Sequence, residues 1–109
     1  MASTYKVLGQ QNPTATTLTA LYTVPAATSA VLSTITVANR SATATAFRLS
    51  VAVAGATDND KQYFAYDAAI QGNEALTFTI GVTMATTDVL RCYATLATLT
   101  FNAFGMEIT

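Results

Sequence analysis

Apolar side chains recur at every second position through most of this chain, and no segment places them at helical spacing over three turns. Successive side chains of a strand point to opposite faces, so a period of two lets each run line a core with one face only. Residues 75–80 show this most cleanly, with Leu76, Phe78 and Ile80 alternating against Thr77 and Thr79. Residues 30–53 hold two such runs. Val31, Ile35 and Val37 are expected on one face of the first, with Ser33 as the odd member. Phe47, Leu49, Val51 and Val53 are expected on one face of the second, with Arg48 and Ser50 turned the other way. The segment between them, Asn39-Arg40-Ser41-Ala42-Thr43, is too long for a two-residue turn. It fits a longer hairpin loop or a crossover between two sheets. This pair of runs is expected at the middle of an antiparallel β domain.

Further strands are expected over residues 3–8, broken by Gly9 to Pro13, and over residues 17–24, stopped by Pro25, which cannot donate to a ladder. A short aromatic strand is expected over residues 62–66, followed by a loop over residues 67–74. Gly81 is expected to end the strand that begins at Ala75, and residues 89–94 and 98–103 to form a hairpin. Gly105 is expected where the last segment bulges, before Met106 and Ile108. The sum is about eight strands at the spacing of a sandwich or barrel. The fold class expected is all-β, an antiparallel β-sandwich of Greek-key or jelly-roll type. Residues 1–13 are expected as an N-terminal arm or edge strand, and residues 14–109 as a single sandwich domain.

Only 10% of the 109 residues are charged, against about 25% in ordinary globular chains. Roughly two residues in five are Ala or Thr. Threonine suits a half-exposed strand, since its methyl packs and its hydroxyl stays wet. A surface this poor in charge is expected to be covered by copies of the chain or by another protein. The five cations Lys6, Arg40, Arg48, Lys61 and Arg91 are scattered, so no stripe exists to neutralise phosphates and nucleic acid is not an expected partner. The start, MASTYKVLGQQNP, lacks the apolar core of a signal peptide, and no apolar run has the length of a membrane span. A product made in a cytoplasm, with no membrane partner, is expected.

The chain contains no histidine, which removes the commonest general base and metal ligand. No Ser-His-Asp or Cys-His set can be assembled, and one cysteine, Cys92, with scattered carboxylates makes no zinc site. Cys92 lies in an alternating run and is expected as a buried, inert thiol. The acidic stretch Asp58-Asn59-Asp60 fails as a calcium loop, because Tyr63 stands at the glycine position and Ala69 at the glutamate position. The expectation is therefore a non-enzyme with no cofactor or metal. Six residues are candidates for partner contact: Arg40, Arg48, Asp58, Asp60, Tyr63 and Tyr66. Arg48 is expected to pair with a carboxylate on a neighbouring strand or to meet a partner. Tyr63, Phe64 and Tyr66 offer either a stacking platform or one core face with hydroxyls at a polar rim.

Several short motifs occur in a recognisable order: Leu21-Tyr22-Thr23-Val24-Pro25-Ala26; Val37 with Asn39-Arg40; Phe47-Arg48; Ala65-Tyr66-Asp67; and a closing Phe-Asn-x-Phe-Gly-x-Glu-Ile-Thr over residues 101–109. In this order they resemble a family of small bacteriophage virion structural proteins, frequent in phages of cyanobacteria and other aquatic bacteria. The resemblance covers most of the chain from Leu18 onward and leaves out residues 58–61 and the first residues. It implies a β-sandwich with a structural role in the particle and no activity. The expected role is a capsid decoration (cement) protein that binds the assembled lattice, with the major capsid protein as partner and a homo-oligomer, a trimer, as the assembly. The alternative is a tail, neck-fibre or baseplate component with an adhesive function. The expected location is the virion, after synthesis in the host cytoplasm.

Overall fold

The alternating runs become eight strands: β1 (Ser3–Gln11), β2 (Thr19–Thr23), β3 (Ser29–Asn39), β4 (Thr45–Ala52), β5 (Tyr63–Ile70), β6 (Ala75–Met84), β7 (Val89–Ala94) and β8 (Leu99–Ile108). A computed structural model describes residues 2–109 and arranges these strands in two four-stranded sheets, in the orders β1-β8-β3-β6 and β2-β7-β4-β5. All pairings are antiparallel. Of consecutive strands, only β4 and β5 share a sheet; every other connection crosses from one layer to the other. This winding is the jelly roll, two Greek keys closed face to face. The fold is thus the all-β antiparallel sandwich that the alternation predicts.

Residues 39–44 are accordingly a crossover, since β3 and β4 are inner strands of different sheets. Residues 95–98 are also a crossover between β7 and β8, where a hairpin was expected. Asn39 secures the first crossover. Its side chain donates to the carbonyls of Thr43 (2.8 Å) and Gln71 (3.2 Å) and accepts from the Ser41 N–H (3.1 Å).

The face assignments of β3 change at a bulge. From Leu32 to Thr34 the opposing residue on β8 moves only from Gly105 to Phe104, which leaves Ser33 without a partner there. Ala30 and Leu32 face the core before the bulge, and Ile35 and Val37 after it, so Val31 lies on the outer face. A second bulge on the other side of β8 leaves Leu8 unopposed between Val7 and Gly9. Each extra residue inverts the alternation of everything beyond it. The bulges therefore sit on the two neighbours of Gly105, and not at Gly105 itself.

Several strands run past the glycines and polar residues expected to stop them. β1 continues through Gly9 to Gln11, and β6 through Gly81 to Met84. β5 absorbs Asp67 by placing it at φ 50 inside the strand, so only residues 71–74 turn. In β2, a register shift at Leu21 lets both Leu21 and Tyr22 bury their side chains.

The centre of the sandwich is Phe47, fully buried on β4. Its ring meets Phe101 edge-on at 6.1 Å and Phe78 at 6.0 Å, both from the opposite sheet. Leu32, Ile35, Leu49, Leu90, Cys92 and Leu99 are among the other fully buried side chains. Burial pushes the Cys92 thiol up to about 12, so it stays protonated and inert.

One polar link ties the two sheets at their rim. The Tyr22 hydroxyl on β2 donates to Glu107 on β8, whose other oxygen accepts from Lys6 Nζ at 3.2 Å. The Tyr22 bond, then Lys6, hold the Glu107 carboxyl below its ordinary 4.5. Its contribution to stability is therefore present above that value and lost as pH falls through the folded pKa. Burial, then the same bond, hold the Tyr22 phenol protonated well above its ordinary 10.0. That contribution is present below pH 10.0 and is lost as pH rises and the unfolded chain ionises first. The urea midpoint is expected to fall at both extremes, and Tyr22→Phe to flatten both shoulders. An unchanged pH profile in that variant contradicts the link.

Candidate functional site

The outer face of the second sheet gathers most of the candidate residues. On the central strand β4, Arg48 alternates with the buried Phe47 and Leu49 and so points outward. Its cross-strand partner on β7 is Tyr93, and Tyr66 flanks it from β5. The guanidinium carbon lies 4.1 Å from the Tyr66 ring centre and 4.4 Å from that of Tyr93, held between two π faces. Arg48 Nε donates to Asp67 Oδ1 at 2.7 Å. This hydrogen bond is the main reason the guanidinium holds its proton more tightly than usual. Arg48 thus makes the neighbouring-strand ion pair, with the carboxylate aimed at it by the left-handed backbone of Asp67.

Tyr63 extends the patch. Its ring packs edge-on against Tyr66 at 5.0 Å and 88°. Burial, and then the nearby Asp58 carboxylate, push its phenol up to about 12. Asp58 and Asp60 come from the β4–β5 connection, whose residues 53–61 are all exposed. Asn59 caps the short 3-10 turn Asp60–Gln62, accepting from the Lys61 N–H, while Gln62 returns a bond from the Asn59 N–H. That turn packs on β4, and Ser50 is fully buried although it points outward. The other end of the connection is held by Asp88, which accepts the N–H groups of Ala54 and Ala85 at 2.9 Å each. Val53, expected on the core face of β4, belongs instead to the 3-10 turn Val53–Gly55 and is 71% exposed.

The structure therefore brings Arg48, Asp58, Asp60, Tyr63 and Tyr66 together around a shallow depression bordered by Asp60, Tyr63 and Tyr66. Arg40 is not part of it. It lies at the opposite end of β4, on the β3–β4 crossover, where its Nη2 donates to the Ala97 carbonyl at 3.1 Å. Sequence reasoning missed Tyr93, Asp67 as the partner of Arg48, and Asp88. Tyr93 was within reach, because a buried Cys92 sends its neighbours on β7 outward. Asp88 gave no signal, since its role depends on a loop thirty-odd residues away in sequence, at Ala54.

A second concavity opens where the sandwich's two layers part between β5 and β6. It holds about 480 Å³ and is lined by Leu49, Val51, Phe64, Phe78, Ile80 and Val82, with Ala65, Gly81 and Thr83 at its margins. None of these side chains titrates. Among the described residues no three His, Cys, Asp or Glu side chains converge as a metal-binding group, and no helix is long and apolar enough to cross a membrane.

Fold and surface together define the class: a jelly-roll domain whose distinctive polar feature is an aromatic and acidic patch on one sheet. No family model matches the chain, and neither a curated protein nor a solved structure is detectably similar to it.

Proposed function

We propose that this chain is a non-catalytic structural component of a bacteriophage virion, a capsid decoration protein that binds the assembled lattice as a homo-oligomer. The observation that carries the reading is that residues from separate motifs of the family pattern meet in space. Tyr22 of the first motif bonds Glu107 of the last. Arg48 of the Phe-Arg pair is held by Tyr66 and Asp67 of the Ala-Tyr-Asp triplet. Residues of separate motifs thus hold one another in this sandwich, which supports reading the motifs together. A surface carrying exposed threonines along β6 and exposed Tyr5 and Val7 on β1 suits contact with other subunits.

The mechanism is mass action. A protein that binds across the joints of the assembled lattice, and not to free subunits, stabilises that lattice by its binding free energy. β1 pairs with β8 of its own chain, and the contact surface in this reading is that of the sandwich.

A tail, neck or baseplate adhesion role is the second reading. It is favoured by the Tyr66 ring, 56% exposed beside Asp60, an arrangement suited to stacking on a sugar. Immunogold labelling of purified particles separates the two. Label spread over the head is the expected result; label at one vertex or on the tail supports the adhesion role, and particles free of label overturn both.

A further inference from the structure

We propose that β6 is a self-association edge, which pairs antiparallel with β6 of a second copy about a two-fold axis near Thr77. The sandwich has four edge strands, β1 and β6 in one sheet and β2 and β5 in the other. An edge strand presents unpaired N–H and C=O groups, and proteins guard such edges with charge, proline, bulges or shortness. β1 carries Lys6 and the bulge at Leu8. β2 has 5 residues with a shifted register, and Pro25 follows it closely. β5 carries Asp67 at φ 50 and two register shifts. β6 is the longest of the four at 10 residues, ALTFTIGVTM, with no charge and no proline. Its one irregularity lies at Ile80–Gly81, and Ala75 to Thr79 pair one for one with Ala38 to Thr34.

A second observation points the same way. The inward side chains of β6, namely Leu76, Phe78, Ile80 and Val82, are only half-buried, whereas those of the neighbouring β3 are fully buried. The apolar cleft opens along this edge, with Phe64 39% exposed on its far side. A strand added over Ala75–Thr79 covers the half-buried Leu76 and Phe78 and narrows the mouth of the cleft at Phe78. Its hydrogen-bonding row requires the occupant to be a strand.

The absence of charge makes the occupant a second copy. Near a two-fold axis every residue meets itself or its near neighbour, so any charge on the strand would repel its own image. A strand without charge escapes this, whereas an edge selected for a different partner commonly carries charge complementary to it. With the axis at Thr77, Leu76 of one copy faces Phe78 of the other, Thr77 faces Thr77, and Ala75 faces Thr79. The sheets join into one of eight strands. Such an isologous pair closes as a dimer, in place of the trimer expected from the family resemblance, and the proposal stands independently of the virion reading.

The test uses the full chain in sedimentation velocity. The wild type is expected to be a dimer that dissociates on dilution, with deuterium uptake over residues 75–84 rising as it does so. Thr77→Lys places a charge on an exposed position at the axis and is expected to weaken association by about tenfold or more. Thr77→Glu alone is expected to do the same, and an equimolar mixture of the two variants to restore the dimer. A wild type that is monomeric at every concentration overturns the proposal. So does an oligomer whose β6 amides exchange equally at all concentrations, a readout that holds even if a variant fails to fold. Variants that stay dimeric separately overturn it as well.

Discussion

Gly105→Ala is expected to destabilise the protein by at least about 3 kcal/mol, through overpacking with backbone and lost ladder bonds, and to leave little soluble protein. A Cβ at this position stands 2.1 Å from the Val31 carbonyl oxygen and 3.1 Å from Leu32 Cα. The obstruction is backbone, so it cannot be relieved by turning a side chain. The cause is the bulge at Ser33, which brings the preceding Val31 carbonyl over β8 at the level of Gly105. Relief requires β3 and β8 to separate at the middle of the first sheet. Gly81→Ala is the matched control. A Cβ there meets nothing within 4 Å, and the change is expected to stay within about 0.5 kcal/mol. Urea denaturation of the two variants makes the comparison, and equal midpoints contradict the bulge geometry.

Phe47→Ala is the second large effect, expected at about 3–5 kcal/mol. Phe47 is fully buried and is the ring through which β4 reaches both Phe101 and Phe78 across the layers. Its removal leaves a cavity that neighbours on two hydrogen-bonded sheets cannot collapse to fill, and the cost rises with the residual volume. Phe64→Ala, at a ring 39% exposed, is expected to cost much less, about 1 kcal/mol. Equal losses at the two positions would place the centre of the core somewhere other than Phe47.

The alternation that names the fold class is visible in the sequence because burial acts on each strand separately. Ile35 and Val37, or Phe47 and Leu49, can face only one way. What the sequence hides is non-local. Ser33 stands out as the odd member of its run, but the sequence does not say that it is unopposed, since the bulge is defined by what β8 does beside it. One hidden extra residue then reverses the assignment of Val31. The crossovers after β3 and β7 are hidden for a related reason, because loops of these lengths serve a hairpin equally well. Gly9 looks like a breaker, but β1 runs through it. A Cβ there would stand 2.0 Å from the Leu21 carbonyl oxygen, so the glycine admits β2 closely against the strand.

The candidate site was legible to a similar depth. The outward direction of Arg48 follows from its apolar neighbours, and a carboxylate on a neighbouring strand is one of the two partners an outward arginine suggests. Which carboxylate could not be read, because the left-handed conformation of Asp67 is what aims it at β4. The meeting of Asp58 with Tyr63 depends on the course of the β4–β5 connection. The anchors of that connection, Asn59 and Asp88, act through backbone groups that carry no sequence signature.

The proposed place of this jelly roll in a virus particle is decided by a cryo-EM map of the purified particle. The proposed function predicts density for an eight-stranded sandwich repeated over the outer surface of the head, seated across joints between capsid subunits. A map that accounts for every ordered protein of the head and tail without this sandwich contradicts it.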